Sequence, residues 1–129
     1  MYIDHIAIWT NNLERLIDFY SNYFNCSVSE RYDNKLKQFS SYFLSFQDGV
    51  RIEIMQRADI SEGIEKEKIG LAHFALVVGT KDQVDNLTKS FEQAGVIVES
   101  YPRTTGDGYY ESVILDPDNN KIELIAMKE

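Results

Sequence analysis

Apolar positions along the chain change period twice, in the same order each time. His5-Ile6-Ala7-Ile8-Trp9 is a short apolar run of strand type. Asn11 then predicts a helix N-cap, and Glu14 three residues on completes a capping box. Leu13, Leu16, Ile17, Tyr20 and Phe24 recur at helical spacing, so the helix should end near Phe24 or Asn25. Three strand-like runs follow, at 27–32, 40–46 and 50–56. Asp48-Gly49 between the last two is a strong hairpin signal.

The second half repeats the order. Strand-type residues 73–78 lead to Thr80 and Gln83, a second capping-box pair. Val84, Leu87, Phe91 and Ala94 make the helical face, and Gly95 is a helix stop. Strands are expected at 96–101, 109–115 and 121–127, with the turn-rich 116–120 joining the last pair. Asn119 or Asn120 suits the left-handed conformation such a turn needs. Each half therefore reads β-α-β-β-β. The expected fold class is α+β, a single domain over 1–129 built from two tandem modules, 2–57 and 71–127, with a polar linker at 58–70. Neither half could bury its sheet alone. Together the modules should form a curved, cleft-containing sheet with helices on its outer face.

The repeat gives a few polar residues a meaning. His73 lies 68 residues after His5, and Glu123 lies 70 after Glu53, so both histidines open equivalent strands. Strand alternation sends Ile52, Ile54, Ile122 and Leu124 toward the helices and turns Glu53 and Glu123 into the cleft. His5 and His73 share their face with the small Ala7 and Ala75. A single strand His or Glu is ordinarily a packed or solvated residue. Two of each at matched positions predict one site for a divalent ion such as Zn²⁺, Ni²⁺, Co²⁺ or Mn²⁺, with coordination positions left for a ligand.

Composition narrows the partners. The 129-residue chain carries 21 Asp+Glu against 13 Lys+Arg, net charge −8, which argues against nucleic acid and anionic membranes. One cysteine, Cys26, excludes an internal disulfide. No apolar stretch is long enough to span a bilayer or to read as a signal peptide, so a cytoplasmic protein is expected. The segment from Arg103 to Glu111 is glycine-rich and reads as a loop before a strand, with Arg103 either placed to meet a substrate anion or simply a charge on a surface loop. Trp9 and Tyr109 are further candidates for contacting a small-molecule substrate, or are simply packed.

These residues resemble the vicinal oxygen chelate superfamily, which includes glyoxalase I, fosfomycin-modifying enzymes, extradiol dioxygenases, methylmalonyl-CoA epimerase and bleomycin-resistance proteins. The resemblance rests on Asp4-His5-Ile6-Ala7-Ile8, Leu16-Ile17-Asp18-Phe19-Tyr20, Leu71-Ala72-His73-Phe74-Ala75, and Asp116-Pro117-Asp118 followed by Ile122-Glu123-Leu124. The intact set His5, Glu53, His73, Glu123 is similar to the metal ligands of glyoxalase I-like members. The resemblance implies a lyase or isomerase in which the ion stabilises charge during proton transfer next to a carbonyl. It implies Glu123 as the base and Glu53 as the second candidate, and it implies a homodimer. Trp9 stands where glyoxalase I usually has an Arg for glutathione, and the linker is short and acidic. Both features argue against glutathione. The alternatives are fosfomycin-type epoxide opening and drug sequestration of the bleomycin-resistance type.

Overall fold

The computed structural model describes residues 2–67 and 69–128. The chain forms two compact units, Met1–Gly63 and Ile64–Glu129. The first holds β1 (His5–Trp9), α1 (Leu13–Tyr23), β2 (Ser27–Val28), β3 (Tyr32–Asn34), β4 (Phe39–Ser45) and β5 (Arg51–Arg57). The second holds β6 (His73–Gly79), α2 (Lys81–Gln93), β7 (Val98–Thr104), β8 (Tyr110–Leu115) and β9 (Lys121–Ala126). The expected sheet is thus two hydrogen-bonded sheets, one per unit. Their orders are β1-β5-β4-β2, with β3 also on β4, and β6-β9-β8-β7. In each unit the first and last strands pair in parallel and the remaining pairs are antiparallel. This is the α+β architecture of two tandem modules. Among the described residues, no helix is long and apolar enough to cross a membrane.

The cores follow the apolar pattern. Leu16, Tyr20, Leu44 and Ile54 are fully buried in the first unit, and Val84, Phe91, Ile114, Ile122 and Leu124 in the second. The helices pack on the last strands and their neighbours. Thr88 takes a core position that an apolar residue could fill. Its hydroxyl donates to the Val84 carbonyl at 2.6 Å and pairs with the buried Ser112 hydroxyl at 2.7 Å. Ala94, expected on the buried face, is exposed at the helix C-cap.

Local chemistry moves several expected boundaries. Asn12, not Asn11, caps α1: its side chain accepts from the Arg15 amide at 3.1 Å. The reason lies upstream. The Thr10 amide is held by the Met55 carbonyl, and the Thr10 hydroxyl accepts from the Asn12 amide, so Asn11 lies in the bend before the helix. Glu14 is thereby freed from a capping box and accepts from Arg31 and Tyr42. The run 27–32 is split into two strands because the Ser29 hydroxyl, rather than a backbone carbonyl, accepts from the Phe43 amide. In the second unit the amides of Ala94, Gly95 and Val96 still bond helix carbonyls, which delays β7 to Val98 and carries it through Arg103 and Thr104. Arg103 therefore sits in a strand and not in the glycine-rich loop. That loop is a tight turn closed by Thr105 and Tyr109, with Gly108 at φ +89.

The Thr80–Gln83 capping box and the turn at Asn119 (φ +67) form as expected. Asp116 organises that turn by accepting from the amides of Asp118 and Asn120. At Gly79 (φ +131) a methyl group would collide with the Gln83 side chain that completes the capping box. Thr88→Val should leave the Ser112 hydroxyl buried without its partner. Chemical denaturation should show a loss of about 1–3 kcal/mol, and a variant as stable as the parent would contradict this account of the core.

Candidate metal centre

Parallel pairing decides which side chains share a face, because residues in register point the same way. In the first unit His5 pairs with Arg51, Ala7 with Glu53 and Trp9 with Met55. Ile52 and Ile54 fill the helix-facing core, so His5, Glu53, Met55 and Trp9 line the opposite face. His5 and Glu53 are diagonal neighbours there, with Nε2 3.7 Å from Oε1. The second unit repeats the arrangement. His73 pairs with Lys121 and Ala75 with Glu123, and His73 Nε2 lies 3.1 Å from Glu123 Oε1. All four side chains are part-exposed, the histidines by 39% and 43% and the glutamates by 16% and 22%. They are open to a ligand without being free to wander.

The donor chemistry fits a borderline divalent ion. Two donors bound at about 2.0–2.2 Å in adjacent positions stand roughly 3–3.5 Å apart. The second pair already has that separation, and the first needs only a small side-chain rotation. Among the described residues no group of three or more His, Cys, Asp or Glu side chains is gathered to hold a metal. The structure brings together two His–Glu pairs, one in each unit.

The surroundings of the two pairs differ. In the first unit His5 Nδ1 is 2.8 Å from Asp4 Oδ2, which also accepts from Arg51 Nη2 at 2.7 Å. These two partners hold the Asp4 carboxyl below its usual range. Phe43 packs edge-on against the His5 ring, and Arg51 lies over Phe43. Further along the face, Trp9 is 38% exposed, meets Phe39 edge-on, and carries the Arg57 guanidinium over its ring.

The second unit has aliphatic Val77, Val113 and Ile125 at corresponding positions, and a cavity of about 250 Å³ opens between His73, Glu99, Ser100, Val113, Lys121 and Glu123. A larger cavity of about 570 Å³ lies beside it, against the chain that leads into β6, and shares only Glu99 and Lys121 with it.

Glu111 is the residue that sequence pattern missed. It lies on the same face as Glu123, one pleat along, and is only 7% exposed. Burial, then the charge and hydrogen bond of Glu123, push its carboxyl up, while Arg103 opposes the shift. Standing between Tyr110 and Ser112, it carried no signal in the sequence that it was not a surface charge. Arg103, in register with Glu111, shares this face and donates to the Ser100 hydroxyl. Tyr109 precedes β8 rather than opening it, and Lys128 lies over its ring at 4.3 Å. Cys26 is half-buried, and burial pushes its thiol up, which disfavours a nucleophilic thiolate.

The chain has recognisable relatives among known proteins. The chain is 27% identical over 127 residues to the uncharacterized protein YqjT of Bacillus subtilis (strain 168), covering 95% of this chain and 96% of that protein. It is 21% identical over 129 residues to lactoylglutathione lyase of Escherichia coli O157:H7, covering 100% and 95% respectively. The fold matches that of glyoxalase I from Zea mays with a TM-score of 0.78 at 21% identity. The match covers 99% of this chain but only 45% of the maize chain. Residues 2–124 match the profile of the Glyoxalase/Bleomycin resistance protein/Dioxygenase superfamily, and the chain belongs to that superfamily.

Proposed function

We propose that the protein is a divalent-metal-dependent lyase or isomerase of glyoxalase type. It would move a proton at the carbon next to a carbonyl of a small molecule, with His5, Glu53, His73 and Glu123 as metal ligands. The observation that carries this reading is one His–Glu pair repeated at the same register in both units, each on the face away from the helix. Full-length similarity to a lactoylglutathione lyase supports it. A divalent ion bound there supplies Lewis-acid polarisation of a substrate oxygen, which acidifies the neighbouring C–H.

The chain's own residues supply the proton chemistry. Glu123 is assigned as the base and Glu53 as the lesser candidate. The two carboxylates have different neighbours at matched positions. Glu111 stands one pleat along from Glu123, its carboxyl pushed up by burial and by Glu123, whereas the equivalent neighbour of Glu53 is Ser41. Arg103, on the same face, is assigned to a substrate anion. Trp9 and Tyr109 are assigned to its apolar part. Trp9 in the place of an arginine makes a thiol other than glutathione, or no thiol, the better fit.

Metal-loaded protein should turn over a hemithioacetal or an epimerisable 2-oxo or thioester compound, and chelation should stop it. Glu123→Gln should lower the rate by about 10²–10⁴-fold while weakening metal binding less; full activity in that variant would sink the assignment. Glu111 also gives a pH test in metal-free protein. Its carboxyl is raised in the folded state, so the stability it allows is present at acid pH and is lost as pH rises through the folded value. Glu111→Gln removes that loss. Thermal unfolding should show the variant more stable than the parent at pH 8, with the difference vanishing below about pH 4. A variant less stable at both pH values would contradict a raised carboxyl at Glu111.

A further inference from the structure

Asp4 is not among the metal donors considered above, yet it makes the closest polar contact to one of them. Its carboxylate faces the ring nitrogen of His5 that points away from Glu53, at 2.8 Å. An ionised carboxylate only accepts, and a neutral imidazole carries one N–H, so the proton belongs on Nδ1 and the lone pair on Nε2. Nε2 is the nitrogen on the Glu53 side, 3.7 Å from that carboxylate.

The contact is itself anchored. Arg51 Nη2 donates to the same Asp4 oxygen at 2.7 Å, and the Arg51 amide donates to the Asp4 carbonyl at 3.2 Å. Arg51 is also the register partner of His5, so the parallel pairing that places the ring places its orienting group. Phe43 packs edge-on to the ring at 5.3 Å and limits its rotation. The second unit lacks the device. Ala72 precedes His73, and among the described residues His73 has a polar contact only with Glu123.

We propose that Asp4 is a positioning residue that fixes His5 as the Nδ1–H tautomer and so presents the Nε2 lone pair to a divalent cation, with Arg51 holding Asp4 in place. The cation part rests on the function proposed above; the tautomer does not. A hydrogen-bonded carboxylate behind a metal-binding imidazole fixes the ring and raises its basicity, and its removal typically weakens metal binding about 10–100-fold. Asp4 is 58% exposed, so the lower end of that range is expected here.

The test uses the full chain labelled with ¹⁵N and freed of metal at pH 8, where long-range ¹H–¹⁵N correlations read the tautomer of each imidazole. Only two histidines are present, so a His73→Gln control assigns His5. The parent should show Nδ1–H at His5. Asp4→Ala should shift it toward Nε2–H and lower Co²⁺ affinity about tenfold. Asp4→Asn, whose amide oxygen still accepts, should restore the tautomer and part of the affinity. His73 should not change in either variant. An Nε2–H tautomer in the parent, or no change in Asp4→Ala, overturns the proposal. A tautomer that shifts as expected in a protein that binds no Co²⁺ upholds the positioning role and removes the metal reading instead.

Discussion

The parallel pairing of each unit's first and last strands is the constraint on which the rest depends. β1 lies on β5 and β6 lies on β9, with Ala7 opposite Glu53 and Ala75 opposite Glu123. Because the side-chain period of a strand is two, a slip of one residue would send both glutamates into the helix-facing cores and bring the buried isoleucines out. Full burial of Ile54, Ile122 and Leu124 therefore holds the register that exposes the carboxylates. The alanines leave space beside each glutamate, and each histidine reaches across that space from the neighbouring strand. Core packing and site geometry are in this way one set of interactions.

Duplication gives the two pairs, and the departures from duplication give them different characters. The first unit surrounds its pair with an orienting carboxylate, two arginines over aromatic rings, and an exposed tryptophan. The second surrounds its pair with aliphatic side chains and one buried carboxyl. Burial and Glu123 push the Glu111 carboxyl up in the second unit, where Ser41 takes the matching place in the first.

Much of this was legible in the sequence. Apolar period, the Asp48-Gly49 turn, the Thr80–Gln83 box and the left-handed Asn119 all follow from local chemistry that the structure repeats. The faces of Glu53 and Glu123 followed from counting by two. The misplacements came from partners distant in the chain. Asn11 loses the cap because Met55 holds Thr10, and Ser29 interrupts a strand because its hydroxyl captures an amide of β4. Arg103 joins a strand because it and Thr104 pair with Glu111 and Tyr110 of β8. Glu111 and Asp4 escaped notice for a related reason. Their importance lies in what stands beside them, and no single-residue pattern marks a carboxyl next to Glu123 or behind His5.

The claim that both His–Glu pairs serve a divalent ion is tested most directly by counting metal. The purified chain, reconstituted with Zn²⁺, Ni²⁺, Co²⁺ or Mn²⁺ and freed of excess, would be measured by elemental analysis beside His5→Ala and His73→Ala. The account predicts about one ion per chain, lost when either histidine is replaced. Binding that survives both substitutions, or no tight binding of any of the four ions after reconstitution, would contradict it.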